Sequence, residues 1–456
     1  MSEAATFPAG LLAGRRYAVL GLGRNGLAAA HALAAMGAAV TVWDDKEAAR
    51  AAAGGLVLRD PAAGPLAADA LVMSPGIPHT LPAPHPAALR ARDAGVPILS
   101  DAELLFAAVR AAGSRARFIG ITGTNGKSTT TALIAHIIAG AGLPVAAGGN
   151  LGPAALALPL LPETGFYVLE MSSYMLERLA SLRFDAAAML NLSTDHLDRH
   201  GDMAGYAAAK RTIFARQTAH DLAVVGIDDA LSRDLAGALP HGATRISGCQ
   251  PADVWCDADG LLRDRAGAIL PMAEAMALPG SHNAQNAAAA AAITLGLGIA
   301  RADVARGIAS VPGLPHRQQR IVTLDGITFV NDSKATNADA TARALACYDR
   351  IVWIAGGIAK AGGIDDLVPF FPRIVSALLI GRDAPLLAAT LAAHGVPHRI
   401  VETLDAAVPA ARDDARAQAA PVVLLSPACA SFDQFSGFDA RGDRFAERAR
   451  ALAGGA

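Results

Sequence analysis

Apolar residues along this chain gather into short runs, each closed by glycine or a polar cluster and several followed by a stretch with helical apolar spacing. Residues 17–20 run into Gly21-Leu22-Gly23-Arg24-Asn25-Gly26 and an alanine-rich helix, and residues 39–43 end at Asp44. Residues 70–73 lead into Ser74-Pro75-Gly76-Ile77-Pro78, a strand ending in a turn. Residues 118–121 open into Thr122-Gly123-Thr124-Asn125-Gly126-Lys127-Ser128-Thr129, after which 132–138 have the spacing of a helix packed on a sheet. Residues 166–169 end at Glu170, and 186–190 end at Asn191-Leu192-Ser193-Thr194-Asp195-His196-Leu197-Asp198-Arg199-His200. A helix is expected over 205–214, further strands and turns over 223–270, and a buried alanine-rich helix over 287–300. Beyond Val311-Pro312-Gly313-Leu314-Pro315, three more runs (327–330, 351–355 and 422–425) each end in a polar cluster. This alternation predicts an α/β protein with open parallel sheets, whose ligands sit beyond the carboxyl ends of the strands.

Two breaks divide the pattern. Ala111-Ala112-Gly113-Ser114 has linker composition, and two prolines and a glycine at 312–315 suit a stiff hinge. Three domains follow, at 1–110, 111–311 and 312–456, in keeping with a length of 456 residues.

Composition narrows the function. There are 39 Lys plus Arg against 41 Asp plus Glu, which leaves no basic excess for a nucleic-acid backbone. The four cysteines form no C-x-x-C pair and read as reduced thiols of a cytosolic protein. Hydrophobic residues make up 53%, but many are alanine, and the best candidate for a membrane span, 287–300, is too short. Met1-Ser2-Glu3-Ala4 lacks the positive region and apolar core of an export signal, so a cytoplasmic location is expected.

The chemistry centres on residues 118–131. Gly123 to Ser128 is close to the phosphate loop G-x-x-x-x-G-K-[ST], in which glycines let backbone N–H groups turn toward phosphate oxygens. The pattern's first glycine would fall on Ile121, with Gly120 one residue early. Lys127 would meet the outer phosphates and Ser128 a magnesium ion, with the positive end of the following helix adding to the attraction. Glu170, at a strand end, is either a magnesium carboxylate or a helix cap. The first glycine turn, with Asp44 about 20 residues on, suits a dinucleotide or another nucleotide equally. Charges crowd 195–200, and clustered charges without partners are costly to desolvate. Lys210 lies fourteen residues beyond His196, near enough for the chain to return it to the same site.

With these residues laid out, the chain resembles the Mur ligases of bacterial cell-wall synthesis over nearly its whole length. The general motifs are Gly123 to Thr129, Glu170, Asp195-His196-Leu197-Asp198, His282-Asn283 and Arg317, shared with amide ligases including folylpolyglutamate synthetase. More specific are Ser74-Pro75-Gly76, Leu314-Pro315-His316-Arg317, Asn331-Asp332-Ser333-Lys334-Ala335-Thr336-Asn337 and the segment 425–435. These point to the D-glutamate-adding branch of the family. The family's phosphate loop has the shortened glycine spacing seen here.

The resemblance implies a Rossmann-like UDP-binding domain, a central phosphate-loop ATPase-type α/β domain and a C-terminal Rossmann-like domain, forming a monomer. Its substrates would be UDP-N-acetylmuramoyl-L-alanine, ATP and D-glutamate. A carboxylate would attack the γ-phosphate to give an acyl phosphate, which the amine of D-glutamate then displaces. Gly123, Thr124, Asn125, Gly126, Lys127, Ser128 and Thr129 would hold phosphate, Asn283 and Asp332 the base and ribose, and Arg317 the γ-phosphate when the last domain closes. Ser128 and Glu170 would hold one magnesium ion and His196 a second, with Lys210 carbamylated beside them. Gly23, Arg24, Asn25, Asp44, Ser74, Pro75, Gly76 and Asn150 match the sugar-nucleotide site. Lys334, Thr336, Lys360, Ser431 and Phe438 match the D-glutamate site. One departure is Gly356-Gly357-Ile358-Ala359-Lys360, where some members carry a more polar turn. An oxidoreductase built on Gly21 to Gly26 would leave 118–131 and Glu170 without a role, and no Asn-Lys-x-Asp guanine signature is present.

Overall fold

The computed structural model describes residues 5–150, 152–360 and 362–453; the first four residues, read above for an export signal, lie outside it. The chain groups into two compact units. One holds the residues up to Ala275 together with Asn283–Val311, the other Met276–His282 together with the residues from Pro312 onward.

The first unit contains two sheets. The smaller is parallel throughout, built from Arg16–Leu20, Ala39–Trp43, Val57–Leu58, Ala70–Met73 and Ile98–Leu99, ordered 3-2-1-4-5 by chain position. Leu20 pairs with Trp43 on one side and Met73 on the other, so three turns begin at one level. The reversal of strand order at the first strand makes that level a switch point, where open α/β sheets bind ligands.

The larger sheet has nine strands in the order 9-8-7-6-5-4-1-3-2 by chain position. At its centre Arg117–Thr122 lies between Phe166–Glu170 and Ala186–Met189, both buried at every position. Strands covered on both faces read as continuous apolar runs, which is why the sequence revealed them. The expected strands of 223–270 include an antiparallel meander, Val254–Cys256, Leu261–Asp264 and Gly267–Pro271, and a helix, Ala230–Gly237, lies among them. The two sheets share an apolar core that includes Val19, Leu33, Leu105, Phe118, Leu156 and Tyr167. Two carboxylates add to the join: Asp101 accepts from the Ala155 amide at 2.8 Å, and Glu103 accepts from the amides of Ala180, Ser181 and Leu182 at 2.8–3.0 Å.

The second unit carries a six-stranded sheet ordered 1-2-6-3-4-5 by chain position. Gln319–Leu324 and Ile327–Asn331 form an antiparallel hairpin; Val422–Leu425, Ile351–Gly356, Ile374–Ile380 and His398–Glu402 continue in parallel. Leu425 pairs with both Asn331 and Ile354, so the polar clusters after these three strands emerge together. Trp353, fully buried, donates its indole N–H to the Ser426 carbonyl at 2.8 Å, which satisfies its one donor.

Candidate nucleotide and substrate sites

Ile121 pairs with Glu170 and Ala188, and Thr122 with Met189, so the loops leaving the three central strands converge. Gly120 stays inside its strand, where an added Cβ would lie 2.8 Å from the Phe184 ring. It is a packing glycine of the strand and not part of the loop. Gly123 (φ +144°) and Gly126 (φ +84°) take conformations that L side chains rarely adopt, and the helix Lys127–Gly140 begins at once. The expected helix therefore starts five residues earlier than its apolar spacing indicated, which puts Ser128 and Thr129 in its first turn.

The loop is held from behind. Asn191 accepts from the Asn125 amide through Oδ1 at 2.9 Å and donates to the Asn125 carbonyl at 3.2 Å, while its own carbonyl accepts from the Thr124 amide at 2.9 Å. Gln285 accepts from the Asn191 amide group at 3.3 Å. On the helix side, Thr130 donates to Asn286 Oδ1 at 3.2 Å, and Asn286 donates to Asn283 Oδ1 at 3.0 Å. Asn283 is thus tied to the phosphate loop through Asn286. Neither Asn191, Gln285 nor Asn286 was singled out from sequence; the position of Asn191 directly after a strand was the available signal.

Ser128 Oγ donates to Glu170 Oε2 at 2.6 Å, and Asn150 Nδ2 donates to Glu170 Oε1 at 2.8 Å. Glu170 is buried, and both its oxygens are oriented by these neighbours. A hydroxyl and a carboxylate in contact make a hard oxygen donor pair of the kind that suits magnesium. Lys127 Nζ donates to the carbonyls of Gly123 at 2.9 Å and Thr124 at 2.8 Å.

Lys210, on the helix Met203–Arg211, is buried and donates to the same Gly123 carbonyl at 2.8 Å and to Thr122 Oγ1 at 3.3 Å. Burial, reinforced by the charge of Lys127, pushes its pKa well below the ordinary lysine value. Two ammonium groups cannot comfortably share one carbonyl, so Lys210 is the one driven toward the neutral amine. His196 is half exposed, with φ +52°, 3.4 Å from Asp195, and burial lowers its pKa.

At the switch point of the smaller sheet, Gly21 has φ +93° and an added Cβ would lie 2.6 Å from Ser74 Oγ, which donates to the Gly21 carbonyl at 2.9 Å. Asp44 accepts from the amides of Leu22 at 2.7 Å and Lys46 at 2.9 Å, which binds the glycine turn to the next strand end. Gly23 caps the helix Arg24–Ala35, and Asn25 donates to the Gly149 carbonyl at 3.2 Å, next to Asn150. Ser74, Pro75 and Gly76 occupy the adjoining turn. Its carbonyls are gripped by Arg178, a buried residue the sequence reading did not select.

In the second unit, buried Asp332 accepts from Ser426 Oγ at 2.7 Å and from the Gln318 amide at 3.2 Å; burial raises its pKa to about 7. Arg317, one residue before Gln318, acts electrostatically on Asp332 in the opposite direction. Lys334 Nζ stands 3.7 Å above the Phe438 ring, and Ser333 Oγ donates to the Phe438 carbonyl at 2.7 Å. Thr336 follows on the same turn, its amide donating to the Lys334 carbonyl. An antiparallel bridge between Ile358 and Ala430 brings the segment before Lys360 beside buried Ser431, while Lys360 itself is exposed. Arg441, also missed, is buried and donates to Ser333 Oγ at 2.9 Å and to the carbonyls of Ser333 at 2.9 Å and Cys429 at 3.1 Å. It ties two of these loops together.

A glycine-rich strand-to-helix turn with a following lysine and serine, and a carboxylate on the adjacent strand, defines a phosphate-loop α/β protein equipped for nucleotide-dependent chemistry. Residues 121–294 match the Mur ligase middle domain. The chain is 50% identical over 451 residues, 97% of its length and 98% of the other, to the UDP-N-acetylmuramoylalanine--D-glutamate ligase of Paramagnetospirillum magneticum. It is 47% identical over 454 residues, covering 97% of each, to the protein of that name from Rhizobium meliloti. In fold it matches the solved structure of UDP-N-acetylmuramate-alanine ligase MurC from Thermotoga maritima, with a TM-score of 0.62 at 18% identity over 96% of this chain and 99% of that one. The chain belongs to the Mur ligase family, in the group these two relatives represent, and is an enzyme of the ligase class.

Proposed function

We propose that the protein joins D-glutamate to UDP-N-acetylmuramoyl-L-alanine at the expense of ATP, in the cytoplasm, as a monomer of three domains at 1–110, 111–311 and 312–456. The likeness to two ligases of that name across 97% of the chain carries this reading, and the phosphate loop with its paired Ser128 and Glu170 supports it.

In the first step the L-alanyl carboxylate attacks the γ-phosphorus, a P–O bond to ADP breaks, and an acyl phosphate forms. In the second, the amine of D-glutamate attacks the acyl carbon, phosphate leaves, and the amine loses a proton to give the amide. Two anions must approach each other in the first step, so positive charge placed in advance lowers the barrier. Lys127, with the amides of Gly123 to Thr129, grips the β- and γ-phosphates, and Arg317 takes charge on the γ-phosphate. Ser128 and Glu170 would hold one magnesium ion and His196 a second, and the ions would supply neutralisation of phosphate charge. Lys210, its pKa lowered by burial, reacts through its unprotonated amine with carbon dioxide and releases a proton to form a carbamate, so that a carboxylate-like anion stands beside Lys127. Asn283 and Asp332 hold the base and ribose. Gly23, Arg24, Asn25, Asp44, Ser74, Pro75, Gly76 and Asn150 hold the sugar nucleotide, and Lys334, Thr336, Lys360, Ser431 and Phe438 hold D-glutamate, whose carboxylates suit the two lysines.

The test is phosphate release by the purified protein against a panel of amino acids. Release is expected only with ATP, UDP-N-acetylmuramoyl-L-alanine and D-glutamate together. Equal turnover with L-glutamate, or turnover only with another amino acid, overturns the substrate assignment.

A further inference from the structure

Arg178 is buried against the 73–79 turn. It follows Glu170 by eight positions, one short helix (Ser173–Leu176) further along the same segment, and it is 2% exposed. All three guanidinium nitrogens are engaged, and the partners lie in one place. Nη1 donates to the carbonyls of Met73 at 2.7 Å and Ser74 at 3.1 Å, Nη2 to the carbonyl of Ile77 at 2.6 Å, and Nε to Nδ1 of His79 at 3.3 Å. Burial, then the charge of Arg178, holds the His79 pKa down at about 4, so the imidazole is neutral and its Nδ1 is an acceptor. The Arg178 carbonyl in turn accepts from the Ser100 amide at 3.1 Å, which fixes the backbone beneath the side chain. A second guanidinium reaches the same turn: Arg199 Nη1 donates to the Gly76 carbonyl at 3.0 Å. Four carbonyls between Met73 and Ile77 are therefore oriented by two arginines.

A buried cation is costly unless its donors are met, and here they are met only by this conformation of the 73–79 turn. Loss of the turn's shape would leave the guanidinium unsatisfied, so the arginine selects that shape. The planar fork is what permits it: five donors in fixed directions can hold several carbonyls at once, where an ammonium group cannot.

We propose that Arg178 is a positioning residue that shapes the 73–79 turn in advance as the docking surface for the sugar-nucleotide substrate, linking it through one short segment to Glu170. This rests on the reading that Ser74, Pro75 and Gly76 contact that substrate. A turn ordered beforehand spares the ligand the loss of chain freedom on binding, so its loss appears in the affinity for that ligand alone.

The test uses the full chain with Arg178→Met and Arg178→Lys. For Arg178→Met, the KM for UDP-N-acetylmuramoyl-L-alanine is expected to rise about tenfold or more while those for ATP and D-glutamate stay within about twofold. Amide hydrogen exchange is expected to quicken at residues 73–79 and not in the phosphate loop. Arg178→Lys, which keeps the charge but not the fork, is expected to fall between parent and Arg178→Met, and it carries the test alone should the methionine variant fail to fold. Unchanged exchange at 73–79 in a folded variant overturns the proposal, and so does a loss of active fraction with every KM unchanged. Should the parent show no turnover with this sugar nucleotide, the reading of function falls, and the exchange measurement still decides whether Arg178 shapes the turn.

Discussion

Gly126→Ala probes the phosphate loop at its tightest point. The residue has φ +84°, and an alanine Cβ there would lie 2.2 Å from Asn286 Oδ1 and 3.1 Å from Leu190 Cδ1. Left-handed backbone costs a residue with a Cβ about 1–2 kcal/mol. The clash must also displace the Asn286 side chain, which breaks its bonds with Thr130 at 3.2 Å and Asn283 at 3.0 Å. At about 1 kcal/mol for each hydrogen bond, the total comes to about 3–4 kcal/mol. Gly113 supplies the control, since it has a similar φ of +82° with nothing within 4 Å of an added Cβ. Gly113→Ala should therefore show the backbone cost alone, about 2 kcal/mol less than Gly126→Ala. Urea unfolding of both variants measures the difference, and the KM for ATP reports the loop, rising for Gly126→Ala and not for Gly113→Ala. Equal stability losses with an unchanged KM for ATP would mean that Asn286 does not support the loop, and the reasoning would fail.

Lys127→Ala is expected to abolish ATP-dependent turnover while far-ultraviolet circular dichroism stays that of the parent; activity within a few-fold of the parent would remove Lys127 from the mechanism. Added bicarbonate should restore turnover to decarbonated protein, and Lys210→Arg, whose guanidinium forms no carbamate, should be inactive with or without it; a parent indifferent to bicarbonate would end the carbamate reading. Asp101, buried with its pKa raised to about 6 from 3.8, binds its proton more tightly in the folded state than in the unfolded one. Its contribution is present in full below pH 3.8 and is lost as pH rises through about 6, an effect of about 3 kcal/mol. Asp101→Asn should accordingly gain stability relative to the parent between pH 4 and pH 7 in urea titrations; a parent-to-variant difference constant over that range would contradict the assignment.

The glycine-rich loop was legible because its signal is local. Glycines at 123 and 126, a lysine and serine after them, and an apolar run before them are adjacent in the chain and do not depend on distant contacts. The central strands were legible for a related reason, since burial on both faces leaves uninterrupted apolar runs at 166–169 and 351–355. The start of the helix after the loop was not, because polar residues at 127–131 face groups that only the folded sheet supplies, such as Glu170 opposite Ser128. The reason for a glycine at 120 likewise needed Phe184, 64 positions away, to show it.

By itself the sequence determined the alternation of strands and helices, the glycine turns that close them and the acidic or basic residues at strand ends, all of which depend on spacing and residue type. Only the tertiary structure decided the state of those groups. The pKa of Lys210 is lowered because the side chain is buried against Gly123 beside Lys127, that of Asp332 is raised to about 7 because it is enclosed, and Arg178 meets Met73 across 105 positions of chain. Desolvation and the orientation of dipoles depend on everything packed around a side chain, and those neighbours come from segments that no local pattern connects.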